Sequence, residues 1–180
     1  MRKIKFLFFM LLLVFSGSIW AEEPPTYYSY TDGAGTTWVF WLEGNEAHIT
    51  DATQGGQPFS GVLNIPSTVE KDGTSYPVIG IGMRYPSAYP SKGLILNDHI
   101  TGIVFPPGLK QIDRCAFLNC NGITSLTIPG TVKRIKDSCF KGCKSLTTLN
   151  IENGVEFIGY SSFSDCTALH GDLTLQPSIK

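Results

Sequence analysis

One interval runs through the second half of this 180-residue chain and limits its fold more than any other feature. Ile100, Ile123, Leu146 and Leu169 are 23 apart, as are Ile103, Leu126 and Leu149. Leu109, Val132 and Val155 keep the interval, and so do Ile112, Ile135 and Ile158. An aromatic column (Phe117, Phe140, Phe163) and a cysteine column (Cys120, Cys143, Cys166) complete the pattern. The columns define units 100–122, 123–145 and 146–168, with a fourth starting at Leu169. A unit this short cannot bury its apolar side alone. Neighbours must stack on it, and the expected result is a solenoid.

Each unit reads as a coil with corners. Leu126-Thr127-Ile128 alternates apolar and polar, the pattern of a half-buried strand. Pro129-Gly130 then turns the chain, matched by Pro106-Pro107-Gly108 and Asn153-Gly154. A second extended piece, Val132-Lys133-Arg134-Ile135, returns two apolar residues to the core. Ser138 to Cys143 is expected to form a short helical turn with Phe140 and Cys143 pointing inward.

Residues 123–145 resemble the BspA-like leucine-rich repeat family almost throughout, with Leu126, Ile128-Pro129, Val132, Ile135, Phe140 and Cys143 on its motif. The family's usual Ala-Phe pair is kept at Ala116-Phe117, while Cys139-Phe140 and Ser162-Phe163 substitute another small residue. The resemblance implies an α/β leucine-rich repeat solenoid, mainly β, with an N-terminal β-hairpin cap and repeating coils on the interval above. It also implies a bacterial surface protein concerned with adhesion to host proteins or other cells.

The N-terminus reads as an address. Arg2, Lys3 and Lys5 precede an unbroken apolar run from Phe6 to Phe15, and Ser16 to Ala21 leads into Glu22-Glu23-Pro24-Pro25. This is the layout of a secretory signal peptide cleaved after Ala21, and the run is shorter than the roughly 20 residues of a spanning helix. Cleavage lowers Lys and Arg from 14 to 11 against 15 Asp and Glu, a net charge of −4. That balance does not suit nucleic-acid binding, which draws its affinity from clustered cations. Export to the cell surface, the periplasm or the medium is expected, with no transmembrane anchor in the mature chain.

The expected organisation is a signal peptide at 1–21, a β cap at 22–82 merging into the first coil, an irregular insertion at 83–99, and repeats at 100–180. In the cap, Asp32-Gly33-Ala34-Gly35, Glu43-Gly44-Asn45 and Lys71-Asp72-Gly73 mark turns between strands. Trp38, Phe40 and Leu42 are expected on one face, with Val39 and Trp41 on the other. Aromatics at strand spacing are more often core than a sugar platform, so the cap is preferred over a glycan site built from Tyr27, Tyr28, Tyr30, Trp38 and Trp41. The insertion carries Tyr85 and Tyr89, and two roles fit it: partner contact, or replacement of a missing helical turn.

The chemistry of catalysis has no motif here. His48, His99 and His170 stand in unrelated contexts, and no nucleophile elbow, phosphate loop or metal-ligand spacing accompanies them. No cofactor, metal or catalytic residue is expected. The five cysteines fit small buried positions, with a disulfide between neighbouring coils as the alternative.

A partner, expected to be a host or cell-surface protein and alternatively a glycan, has three places to touch. One is the small polar ladder Val104, Ser125, Thr127, Thr148 and Asn150. Another is Lys133, Arg134 and Lys136 in a unit of net charge +4, beside a unit of net −3. The third is Tyr85 and Tyr89. Charge pairing between the two units, such as Lys133 with Glu156, is preferred to a basic patch. The chain's last coil, open at Lys180, is expected to allow end-to-end association.

Overall fold

A computed structural model describes residues 25–82, 99–170, 177 and 179. The expected signal peptide, Tyr85, Tyr89, most of the insertion and most of the fourth coil lie outside the described residues. The described part holds thirteen strands: β1 (Tyr27–Thr31), β2 (Thr36–Glu43), β3 (Glu46–Gln54), β4 (Gln57–Pro58), β5 (Gly61–Asn64), β6 (Thr68–Lys71), β7 (Thr74–Ile81), β8 (Ile100–Val104), β9 (Gln111–Ile112), β10 (Ser125–Ile128), β11 (Arg134–Ile135), β12 (Thr148–Ile151) and β13 (Phe157–Ile158).

The turns read from sequence make the antiparallel part. Strands β1, β2 and β3 form a meander, and β6 and β7 form a hairpin about Asp72 and Gly73. Asp32 builds the first turn. Its carboxylate accepts from the amides of Ala34 and Thr36 and from the Trp38 indole. Burial alone would raise its pKa, but these bonds together bring it below the ordinary value.

The meander does not end as a separate domain. Strand β3 pairs in parallel with β7, β7 with β9, β9 with β11, and β11 with β13, so one sheet runs β1-β2-β3-β7-β9-β11-β13. From β9 onward each step advances by one repeat unit, as in Ile112, Ile135 and Ile158. The other strand of each unit pairs separately: Leu126 with Leu149 and Ile128 with Ile151 in β10–β12, and Leu63 with Ile103 in β5–β8. The columns legible in the sequence are therefore columns in space. Leu109, Val132 and Val155 are fully buried, as are Ile112 and Ile135.

The α-helical part of the expectation is not met, since the described residues contain no helix. The segment 138–143 is a succession of turns. Two residues in each unit carry left-handed backbone: Cys115, Ser138 and Ser161 at φ 55–56°, and Asn119, Gly142 and Asp165 at φ 61–74°. A residue in that region interrupts a right-handed helix. Alternate amides here are used between units, because Phe117 donates to the Cys139 carbonyl, Asn119 to Lys141, Phe140 to Ser162 and Gly142 to Ser164, all at 2.8 Å, while Leu118 and Lys141 close only i−3 turns onto Cys115 and Ser138. A backbone N–H spent on the next unit is not available for an i−4 carbonyl. A Cβ at Gly142 would meet Asn119 Oδ1, so the Asn119 side chain would have to turn aside.

Side chains reinforce this third edge. Phe117 and Phe140 stack with ring centroids 5.2 Å apart at 7°, and Phe140 and Phe163 at 5.4 Å and 4°. All five cysteines are buried thiols, not disulfides. They do more than fill space. Cys143 and Cys166 donate S–H to the carbonyls of Phe117 and Phe140 in the preceding unit. Cys139 donates to the Lys136 and Asp113 carbonyls, as the Ser162 hydroxyl does to Gly159 and Lys136 one unit on. Burial in small positions agrees with the sequence pattern. The donor role goes beyond it, and its one signal is the exchange of Ser162 for Cys139 between units.

Phe140→Ala removes the middle ring of the stack and is expected to destabilise the fold by about 3–5 kcal/mol in denaturant melts. Burial pushes the thiols of Cys139 and Cys143 well up, and those of Cys115 and Cys166 up. Unfolding therefore becomes easier once the exposed thiol can ionise. Stability is expected to be full below the ordinary value of 9.0 and to fall above it. Substituting Ala for Cys139 and Cys143 should flatten that fall in chemical melts run on either side of the ordinary thiol value.

Candidate functional site

The sheet's register puts Tyr27, Trp41, His48, Gly80, Gln111, Arg134 and Phe157 in one row across seven strands. The row is buried from Trp41 to Gly80 and exposed at Tyr27 and at its repeat end. Trp41 and His48 stack with centroids 4.0 Å apart, and His48 is fully buried. Gly80 makes this possible, because a Cβ there would meet His48 Nδ1. At the far end Arg134 and Phe157 face solvent.

Just past Gln111 in the chain lies Asp113, whose buried carboxylate joins three elements. It accepts from Lys136 Nζ at 2.6 Å, from His48 Nδ1 at 3.2 Å and from Gln111 Nε2 at 3.2 Å. The bond to the carboxylate assigns the Nδ1 proton. His48 Nε2 is then buried with no hydrogen-bond partner among the described residues, 3.7 Å from Glu43 Oε2. An Asp–His pair can serve a nucleophile, but this imidazole is enclosed against Trp41. Its geometry is that of a joint between cap and repeats.

The remaining charges on this face also pair across units. Lys133 reaches Glu156 at 3.6 Å, the pairing expected from sequence, and its Nζ donates to the Gly154 carbonyl. Arg114 meets Asp137 at 2.8 Å and Lys110 meets Glu46 at 2.6 Å. Arg134 has no ion-pair partner among the described residues. It lies in a shallow, open depression lined also by Arg114, Lys136, Asp137 and Phe157. Tyr160, one repeat unit beyond Asp137, donates its amide to the Asp137 carboxylate, and its side chain is 83% exposed. Lys133, Arg134 and Lys136 stand out in the sequence, whereas Phe157 and Tyr160 do not. Their signal is an aromatic in a column otherwise holding Gln111 and Arg134, or Arg114 and Asp137.

The other face carries the polar ladder. Ser125 stands beside Thr148 and Thr127 beside Asn150, all exposed, and Val104 pairs with Asn64. Val62 and Val104 are each about half exposed. The ladder and the Arg134 row lie on different sheets, so the structure does not bring all the expected contact residues together.

The aromatic platform of the cap does not exist as such. Trp38 and Trp41 are 1% and 2% exposed, and Phe40 is fully buried. The strand alternation sets Trp41 on a different face from Trp38, and that second face is covered too. Of the platform residues only Tyr27 is exposed. Among the described residues no group of three His, Cys, Asp or Glu is placed to hold a metal ion, and no helix is long and apolar enough to cross a membrane.

Parallel strands recurring at a fixed interval, with rows of exposed side chains, define a repeat protein. Residues 95–180 match the BspA type leucine rich repeat region in six copies. No curated protein matches the chain significantly. Among solved structures it is similar to a leucine-rich repeat protein from Bacteroides ovatus, with 26% identity, a TM-score of 0.48, and coverage of 81% of this chain and 29% of that one. It is also similar to a leucine-rich repeat protein from Bacteroides capillosus, with 22% identity, a TM-score of 0.44 and coverage of 78% of each chain. The pneumococcal vaccine antigen PcpA matches at 14% identity and a TM-score of 0.49, over 77% of this chain and 42% of that one. This chain thus spans under a third of the Bacteroides ovatus protein.

Lys136→Ala takes from a buried carboxylate its one cationic lysine donor and leaves it to His48 and Gln111, whereas Lys133→Ala removes one end of an exposed pair. The first is expected to cost about 3 kcal/mol and the second under about 0.5 kcal/mol in urea unfolding. Equal losses would show that Asp113 is not a joint.

Proposed function

We propose that the chain is an exported, non-enzymatic leucine-rich repeat protein that binds another protein at the cell surface, its stacked units forming a solenoid. The domain organisation expected from sequence is part of this reading: signal peptide 1–21, cap 22–82, insertion 83–99 and repeats 100–180.

One observation carries it. The exposed side chains stand in straight rows, one per unit, over open ground and not round an enclosed cavity. Small ligands are held in concave sites that bury most of their surface. Rows about 4.8 Å apart on a sheet instead match the scale of another polypeptide. The aromatic and arginine side chains on the Arg134 face are of the types enriched where proteins meet. The repeat family supports the same reading. The enclosed His48 and the carbonyl-bonded Cys139 support a non-enzymatic role, since neither is presented to a substrate. A glycan site on the cap aromatics is not retained, because Trp38 and Trp41 are core.

The test is binding to purified matrix and cell-surface proteins by surface plasmon resonance. Saturable binding to at least one protein, surviving its enzymatic deglycosylation, is the expected outcome. Binding to none of them, or binding that disappears with the glycans, would sink the proposal.

A further inference from the structure

We infer that the Arg134–Phe157 face recognises an acidic protein segment, in which a carboxylate sits on Arg134 and an adjacent apolar side chain lies on Phe157 and Tyr160. The inference rests on the protein-binding reading above and names the partner's chemistry at one face.

Four cations around this face are already committed. Lys110, Arg114, Lys133 and Lys136 each meet a carboxylate, from Glu46, Asp137, Glu156 and Asp113 respectively. Arg134 has no acidic partner among the described residues. It is exposed in the depression, flanked in register by Gln111 and Phe157. A guanidinium offers a planar fork of donors that a carboxylate fills with two hydrogen bonds. Phe157 is 43% exposed and Tyr160 83%, so large apolar surface stands uncovered on the same face as that charge. An arginine beside two aromatics is the composition of an interface anchor.

The committed cations also decide between classes of acidic partner. A sulfated polysaccharide or nucleic acid presents a run of charges and needs a run of unpaired cations. Here the cations beside Arg134 in the depression, Arg114 and Lys136, are already held by Asp137 and Asp113, and Asp137 itself lines the depression, where it disfavours a second anionic group. A single carboxylate followed by an apolar side chain fits the charge and the aromatic surface together. That combination belongs to a protein segment.

The experiment uses the whole chain as bait for a displayed library of random peptides. Selected peptides are expected to carry Asp or Glu next to, or one position from, Phe, Leu, Ile or Tyr. Affinity for the commonest peptide, measured by fluorescence anisotropy, should fall about tenfold or more for R134Q and for F157S, a loss of roughly 1.4 kcal/mol each. It should not change for K144Q, which lies on another part of the repeat. Circular dichroism melts of the two exposed-site variants should match wild type, so a loss of binding is not a loss of fold. Peptides without acidic residues, equal affinity for R134Q, or no enriched sequence would overturn the inference. So would heparin binding that depends on Arg134 where peptide binding does not. If a protein partner is captured yet R134Q and F157S bind it as wild type does, the protein-binding function stands and this face is not its site.

Discussion

The backbone hydrogen bonds that join one unit to the next carry the rest of this structure. Along the third edge of each unit, alternate amides such as Phe117, Asn119, Phe140 and Gly142 donate to carbonyls of the following unit. These bonds hold neighbouring units at strand spacing. At that spacing the phenylalanine rings stack and the thiols of Cys143 and Cys166 reach carbonyls of the unit before. They also remove the helix from the repeat, because donors used between units cannot close turns within one. The left-handed residues at 115, 119, 138, 142, 161 and 165 are the backbone's means of aiming those donors sideways.

The same logic joins the antiparallel strands to the repeats. Strand β3 enters the parallel sheet beside β7, and His48 crosses Gly80 to reach Asp113. A buried carboxylate is costly unless its lone pairs are used, and here three donors from separate side chains use them. The row that is enclosed at Trp41 and His48 ends exposed at Arg134 and Phe157, so one register supplies both an internal joint and an outward surface.

Much of this was legible. The apolar columns at 109, 112, 117 and 120 and their successors lie where the period puts them, and the Lys133–Glu156 pair follows from one step of that period. The cap's turns at Asp32, Gly44 and Asp72 stand as their residues suggest. What the pattern did not reveal were contacts between residues outside it. His48, Asp113 and Lys136 belong to no common motif, and Trp38 and Trp41 give no sign of which faces are covered. Neither left-handed column, at Cys115, Ser138 and Ser161 or at Asn119, Gly142 and Asp165, was read, since the segment holding both was expected to turn as a helix, and Cys and Ser carry little preference for that backbone.

The sequence by itself determined the period, the inward columns, the corners and the match of residues 95–180 to a repeat family. It could do so because a stacked repeat is a local pattern copied at a fixed interval, and each copy states the same burial. Only the tertiary structure decided that the helical edge is turns and that the cap is welded into the sheet through Asp113. It also decided that Arg134 lacks an acid among the described residues while Phe157 and Tyr160 stand open on its face. Those facts depend on which neighbour each donor, charge and ring meets across units, and that is set by three-dimensional register.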